Sequence, residues 1–83
     1  MTKREEFKDY FDVVESMYDA RVIWHDEDLV MVTLKSGGLA LSRMFNAREA
    51  ELMPVSGSVY ADRLFKDMLK EFEDGLKIHG VYS

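Results

Sequence analysis

The chain has no cysteine, one proline and two histidines among 83 residues. Without cysteine there is no disulfide, no thiol nucleophile and no thiolate metal site, which fits a reducing compartment. A zinc site wants three or four nitrogen or sulfur ligands, and His25 and His79 are the only histidines on offer. No apolar run approaches the roughly 18 residues that span a bilayer. The N-terminal stretch Met1-Thr2-Lys3-Arg4-Glu5-Glu6-Phe7 has no apolar core of the kind a signal peptide needs. A soluble, cytoplasmic protein is therefore expected. G-x-S-x-G and phosphate-loop patterns are also missing. The two histidines lie 54 positions apart with no nucleophile beside either, and Ser42, Ser56 and Ser58 have no partner pattern. The expectation is a protein that is not an enzyme and holds no cofactor and no metal.

What is present is acid. The net charge is −5. Residues 1–28 carry nine acids (Glu5, Glu6, Asp9, Asp12, Glu15, Asp19, Asp26, Glu27, Asp28) against four bases (Lys3, Arg4, Lys8, Arg21), while residues 29–83 carry seven of each. The whole net charge thus lies in the first third, which speaks to partners rather than to fold. A domain of this size buries roughly 60–65% of its unfolded surface and can fold alone. A hydrophobic fraction of 47% is ordinary for a globular chain. Residues 1–83 are read as one compact α+β domain.

Phe7, Tyr10, Phe11, Val14, Met17 and Tyr18 recur at helical spacing and predict a helix over 4–19, with Thr2 and Glu5 forming a capping-box pattern. Glu5, Asp9, Asp12, Ser16 and Asp19 fall on its opposite face. The period then changes. Arg21–Trp24, Leu29–Leu34 and Leu39–Phe45 read as strands, separated by His25-Asp26-Glu27-Asp28 and Ser36-Gly37-Gly38, and predict a three-stranded antiparallel meander. Asn46 can cap a helix of about two turns ending at Pro54. Ser58 can cap a long last helix with Ala61, Leu64, Phe65, Met68, Leu69, Phe72 and Leu76 inward, and Gly75 reads as its C-terminal stop. Asp62–Lys66, Lys70–Asp74 and Glu73–Lys77 are opposite-charge pairs on its wet side. Residues 77–83 read as coil or as a short added strand. The order is α-β-β-β-(short α)-α. In 29–34 both strand faces are apolar, so either the short helix or another chain covers the second face.

The four residues 25–28 raise the central question. A calcium loop needs a glycine and a distant glutamate that are not in place here. Aspartates build turns by bonding their own backbone. The rival reading joins the loop to the acidic helix face in one negative surface for a basic partner, one that imitates a phosphate backbone. Every acid is expected on a wet surface, where burial cannot tune a pKa for catalysis. The element order also matches double-stranded-RNA-binding domains, but the last helix opens Ser58-Val59-Tyr60-Ala61-Asp62 without the bases that grip phosphate. Direct nucleic-acid binding is not expected.

Trp24, Met31, Tyr60 and Tyr82 are large and not all needed for the core; they either fill a thin core or serve an interface, where such residues are enriched. On a helical wheel Tyr60 lies off the apolar face, beside Asp67 and Glu71. In size and charge the chain resembles small inhibitors and regulators, including many from phages and plasmids. The expected function is protein binding: an acidic inhibitor that blocks a macromolecular partner, a basic nucleic-acid-binding protein among the candidates. Its surface is built from Glu5, Asp9, Asp12, Asp19, Trp24, His25, Asp26, Glu27 and Asp28. The alternatives are a homodimeric structural domain of unknown role joined through Leu29, Met31 and Tyr60 and, ranked after it, a small enzyme or ligand carrier.

Overall fold

The computed structural model describes the backbone of residues 1–82 and the side chains of residues 1–77. The side chains of His79 and Tyr82, and Ser83 altogether, lie outside the described residues. Helix α1 (Lys3–Met17) begins with the reciprocal cap that the sequence predicts: Thr2 Oγ1 accepts from the Glu5 amide, and Glu5 accepts from the Thr2 amide. It is followed by β1 (Ala20–Trp24), β2 (Leu29–Ser36), β3 (Leu39–Asn46), a 3₁₀ helix (Ala47–Leu52) and α2 (Gly57–Tyr82). The strands form an antiparallel meander in the order β1-β2-β3. Gly37 and Gly38 both take positive φ, which gives the two-residue turn between β2 and β3 the twist that a hairpin wants.

Strand alternation sorts the sheet into two faces. Val30, Val32 and Leu34 are buried under the helices, with Phe7, Phe11 and Val14 of α1 and Ala61, Phe65, Met68 and Phe72 of α2. Phe11 sits at the centre, stacked 5.4 Å from Phe45 and edge-on to Phe65. Aromatic pairs of this geometry add to the area they bury. The other face carries Arg21–Thr33–Ser42 and Ile23–Met31–Met44 as directly opposed rows. The 3₁₀ helix packs against α1 and α2 instead of over this face. Among the described residues nothing covers it.

Several local expectations change. Helix α2 does not stop at Gly75 but continues to Tyr82, which also removes the coil or strand read over 77–82. Gly75 instead lets the helix pass close to β3: a Cβ there would lie 3.3 Å from Leu39. Its cap is Ser56, whose hydroxyl accepts from the Val59 amide at 3.2 Å, rather than Ser58. Gly57, read as a connector, is a contact point. A Cβ on it would stand 1.7 Å from the Lys3 carbonyl oxygen, so only glycine lets the two helix N-termini meet. Met17, assigned to the apolar face of α1, is exposed because the helix ends there. None of the three expected ion pairs along α2 closes among the described residues; Asp62 instead accepts from the Tyr10 hydroxyl at 2.7 Å.

Candidate interaction surface

The loop at 25–28 is first of all a hairpin turn. Asp26 accepts from the amides of Asp28 and Leu29, both at 2.8 Å, and His25 donates its amide to the Leu29 carbonyl. Those two amides hold the Asp26 carboxyl below its ordinary pKa. The next aspartate behaves differently. Asp28 is 5% exposed, the one buried charged residue among the described residues. Arg4 from α1 grips it with two nitrogens, one of them at 2.7 Å, and Arg48 from the 3₁₀ helix adds Nε at 2.9 Å. The Asp28 carbonyl also takes the Ala47 amide at 2.8 Å. Burial pushes this carboxyl up, but the two guanidiniums outweigh it and keep it below the usual range.

Asp28 therefore corrects two expectations. It is not on a wet surface, and it is not free to meet a partner, because its charge is already matched inside the fold. Sequence could not separate it from Asp26, since both arginines are distant along the chain. No group of three or more metal-binding side chains gathers among the described residues.

The remaining site residues lie in three places, with His25 exposed in the loop itself. Asp9 and Asp12 stand exposed on the outward face of α1, with Glu5 one turn before them at the cap. Asp12, Trp24, Asp26 and Glu27 line one shallow cleft together with Lys8. In it Trp24 is half-buried beneath the Lys8 ammonium, 5.7 Å from the ring centre, so its aromatic face is engaged within the chain. Asp19 lies apart, beside Glu15 and the start of β1.

The basic residues of α1 explain why this face is acidic. Lys3 reaches the Met53 carbonyl, Arg4 reaches Asp28, and Lys8 covers Trp24. All three are half-buried and turned toward their own chain. Glu5, Asp9, Asp12 and Glu15 are exposed. Beside this stripe Val13 is 50% exposed and Met17 69%, an apolar edge at i,i+4 spacing.

Of the residues expected to join two copies, Leu29 and Met31 lie on the open sheet face, half-exposed. Tyr60 does not join them. Its ring packs 5.9 Å from Phe7 and its hydroxyl donates to Glu49 at 3.2 Å, on the helical side of the sheet. The first turn of α2 is covered by both α1 and the 3₁₀ helix, so its buried arc is wider than the wheel implies.

Comparison with protein families, with curated proteins and with solved structures finds no match. No helix among the described residues is long and apolar enough to cross a membrane.

Proposed function

We propose that this chain is a non-catalytic protein-binding module of the cytoplasm, a small acidic inhibitor or regulator of the kind phages and plasmids encode. It works by laying the outward face of α1 against a basic protein surface, such as the nucleic-acid-binding groove of its target. One observation carries the reading: every base of α1 is drawn inward to a partner in the chain, while Asp9 and Asp12 are left to solvent and Glu5 and Glu15, though exposed, accept from the Thr2 and Val22 amides. A stripe of like charge costs helix stability, and a partner that neutralises it recovers that cost. Val13 and Met17 supply apolar contact at the rim of the stripe, where charge alone gives speed and orientation more than affinity. Asp26 and Glu27 extend the negative surface past Lys8.

The test is retention from nuclease-treated lysate of the host cell on the immobilised, full-length protein at low salt. A single stoichiometric protein should be held, should elute as salt rises, and should be lost with Asp9→Lys/Asp12→Lys. Both positions are exposed, so this variant keeps the fold, whereas reversing Asp28 would break it. A partner held equally at high salt, or equally by the variant, would overturn the reading.

A further inference from the structure

We infer that the outer edge of β3 is a docking site for an extended peptide segment of another protein, which joins the sheet as a fourth strand. The register fixes which backbone groups are free. Gly37 and Gly38 make a two-residue turn, so Ser36 and Leu39 on either side of it exchange both hydrogen bonds, and Leu41, Arg43 and Phe45 face β2 in the same way. Ala40, Ser42 and Met44 therefore turn their amides and carbonyls outward. All three residues are exposed, and among the described residues nothing bonds those groups.

The two edges of the sheet differ. β1 is five residues long, and the Glu15 carboxylate already takes its outward Val22 amide at 3.2 Å. β3 is eight residues long and has no proline; its one charged residue, Arg43, is held back against α2 by Glu71. A long edge left open in this way is a template for another strand, and main-chain bonds then supply the affinity. Specificity comes from a hollow beside the edge. Leu39, Leu41, Phe72 and Gly75 form its apolar floor, with Glu71 and Asp74 on its rim. An added strand turns alternate side chains toward it, so an apolar residue fits there and an acid does not. Lys35 lies on the opposite face of the sheet and does not enter it.

The helices decide against a second copy as the occupant. α1 packs on β1 and α2 on β3. Paired strands lie about 4.8 Å apart, whereas packed helices need about 8–10 Å between axes. A copy that offered either of its own edges would drive a helix into α2. A lone strand with no helix above it meets no such obstacle. The site is separate from the acidic stripe of α1 and stands whether or not that stripe binds a partner.

Nuclear magnetic resonance of the whole chain tests this. In the free protein the amides of Ala40, Ser42 and Met44 should exchange quickly with solvent, while those of Leu41 and Arg43 are protected. The probe is a blocked synthetic peptide of alternating threonine and leucine with a lysine at each end, added to about 1 mM. It should shift those three amides and slow their exchange. N-methylating the threonines or the leucines, one set only, should abolish binding, because a strand presents alternate amides to its neighbour. Glutamate in place of leucine should abolish it too. Ser42→Pro removes the middle outward donor and no bond to β2; it should weaken binding about tenfold, the worth of one hydrogen bond. Ala40→Pro is the second variant should the first fail to fold. Edge amides already protected in the free protein, no shift at about 1 mM peptide, or equal binding by both N-methylated forms would overturn the proposal. So would a dimer in sedimentation equilibrium that Ser42→Pro separates, since the edge would then serve a second copy.

Discussion

Arg4 and Asp28, 24 residues apart in the chain, close a two-pronged ion pair that ties the first turn of α1 to the loop between β1 and β2. Arg48 approaches the same carboxylate from the 3₁₀ helix. Three elements that share few other polar contacts thus meet on one buried charge. Removing that charge leaves two guanidiniums facing a neutral group, and an uncompensated charge is worse than none. Asp28→Asn should lower the melting temperature by about 5–10 °C, while Glu27→Gln, one residue away and exposed, should leave it nearly unchanged. In a double-mutant cycle Arg48→Ala should destabilise the wild type but add little to Asp28→Asn. Additive losses would mean that Arg48 acts elsewhere.

The close approach of Gly57 to the Lys3 carbonyl makes a sharper prediction. Gly57→Ala places a methyl group where backbone already stands, and neither helix N-terminus can retreat without losing its cap. We expect a loss of about 3 kcal/mol or more, at the upper end of overpacking effects. Gly38→Ala is the control: its φ is +83°, but a Cβ there meets nothing within 4 Å. It should cost about 1–2 kcal/mol from backbone strain alone. Chemical denaturation of both variants measures the difference, and equal losses would contradict the steric account.

Much of the fold was legible because its signals are local. The capping box of Thr2 and Glu5, the period of Phe7, Phe11 and Val14, the Gly37-Gly38 turn and the cap at Asn46 each act within a few residues. What sequence did not reveal depends on contacts between distant segments. Gly75 looks like a stop until β3 is seen running beside it. Tyr60 looks exposed on a wheel until the 3₁₀ helix supplies Glu49. The candidate site shows the same division: Asp9 and Asp12 lie where periodicity puts them, whereas Asp28 became internal only through Arg4 and Arg48. That the short helix leaves one sheet face bare could not be read from either segment alone.

Stability should fall away at both ends of the pH scale, for separate reasons. Asp26, Asp28 and Glu5 titrate below their ordinary values of 3.8, 3.8 and 4.5 in the folded chain. As pH drops through those values the unfolded chain takes up protons first, so stability is full above about pH 5 and declines below it. The alkaline side has the opposite sign. Burial first, and then the bond to Asp62, push the Tyr10 hydroxyl above 10.0; burial and Glu49 raise Tyr60 in the same direction. The folded state keeps these protons longer, so stability is full below pH 10.0 and falls as pH climbs past it. Melting temperatures across the range should show both limbs. Tyr10→Phe should flatten the alkaline limb and leave the acid one alone; an unchanged alkaline slope would assign that limb to other groups.

Asp9 separates stability from binding. On α1 it has Glu5 four residues before it, Glu6 three before and Asp12 three after, so three like charges surround it. Each such pair costs a helix roughly 0.2–0.5 kcal/mol. Asparagine has nearly the same helix propensity as aspartate. Asp9→Asn should therefore stabilise the fold by about 0.5–1 kcal/mol, an unusual sign for a substitution chosen without design. The gain should shrink as salt screens the repulsion. If the stripe serves a basic partner, the same variant should bind that partner more weakly, chiefly through slower association. A fold stabilised at unchanged affinity would show that these acids are not what the partner reads. A fold destabilised by the change would show that Asp9 has a structural role that its exposed position does not reveal. Thermal melts at low and high salt, set beside association rates for the captured partner, distinguish these outcomes with one conservative substitution.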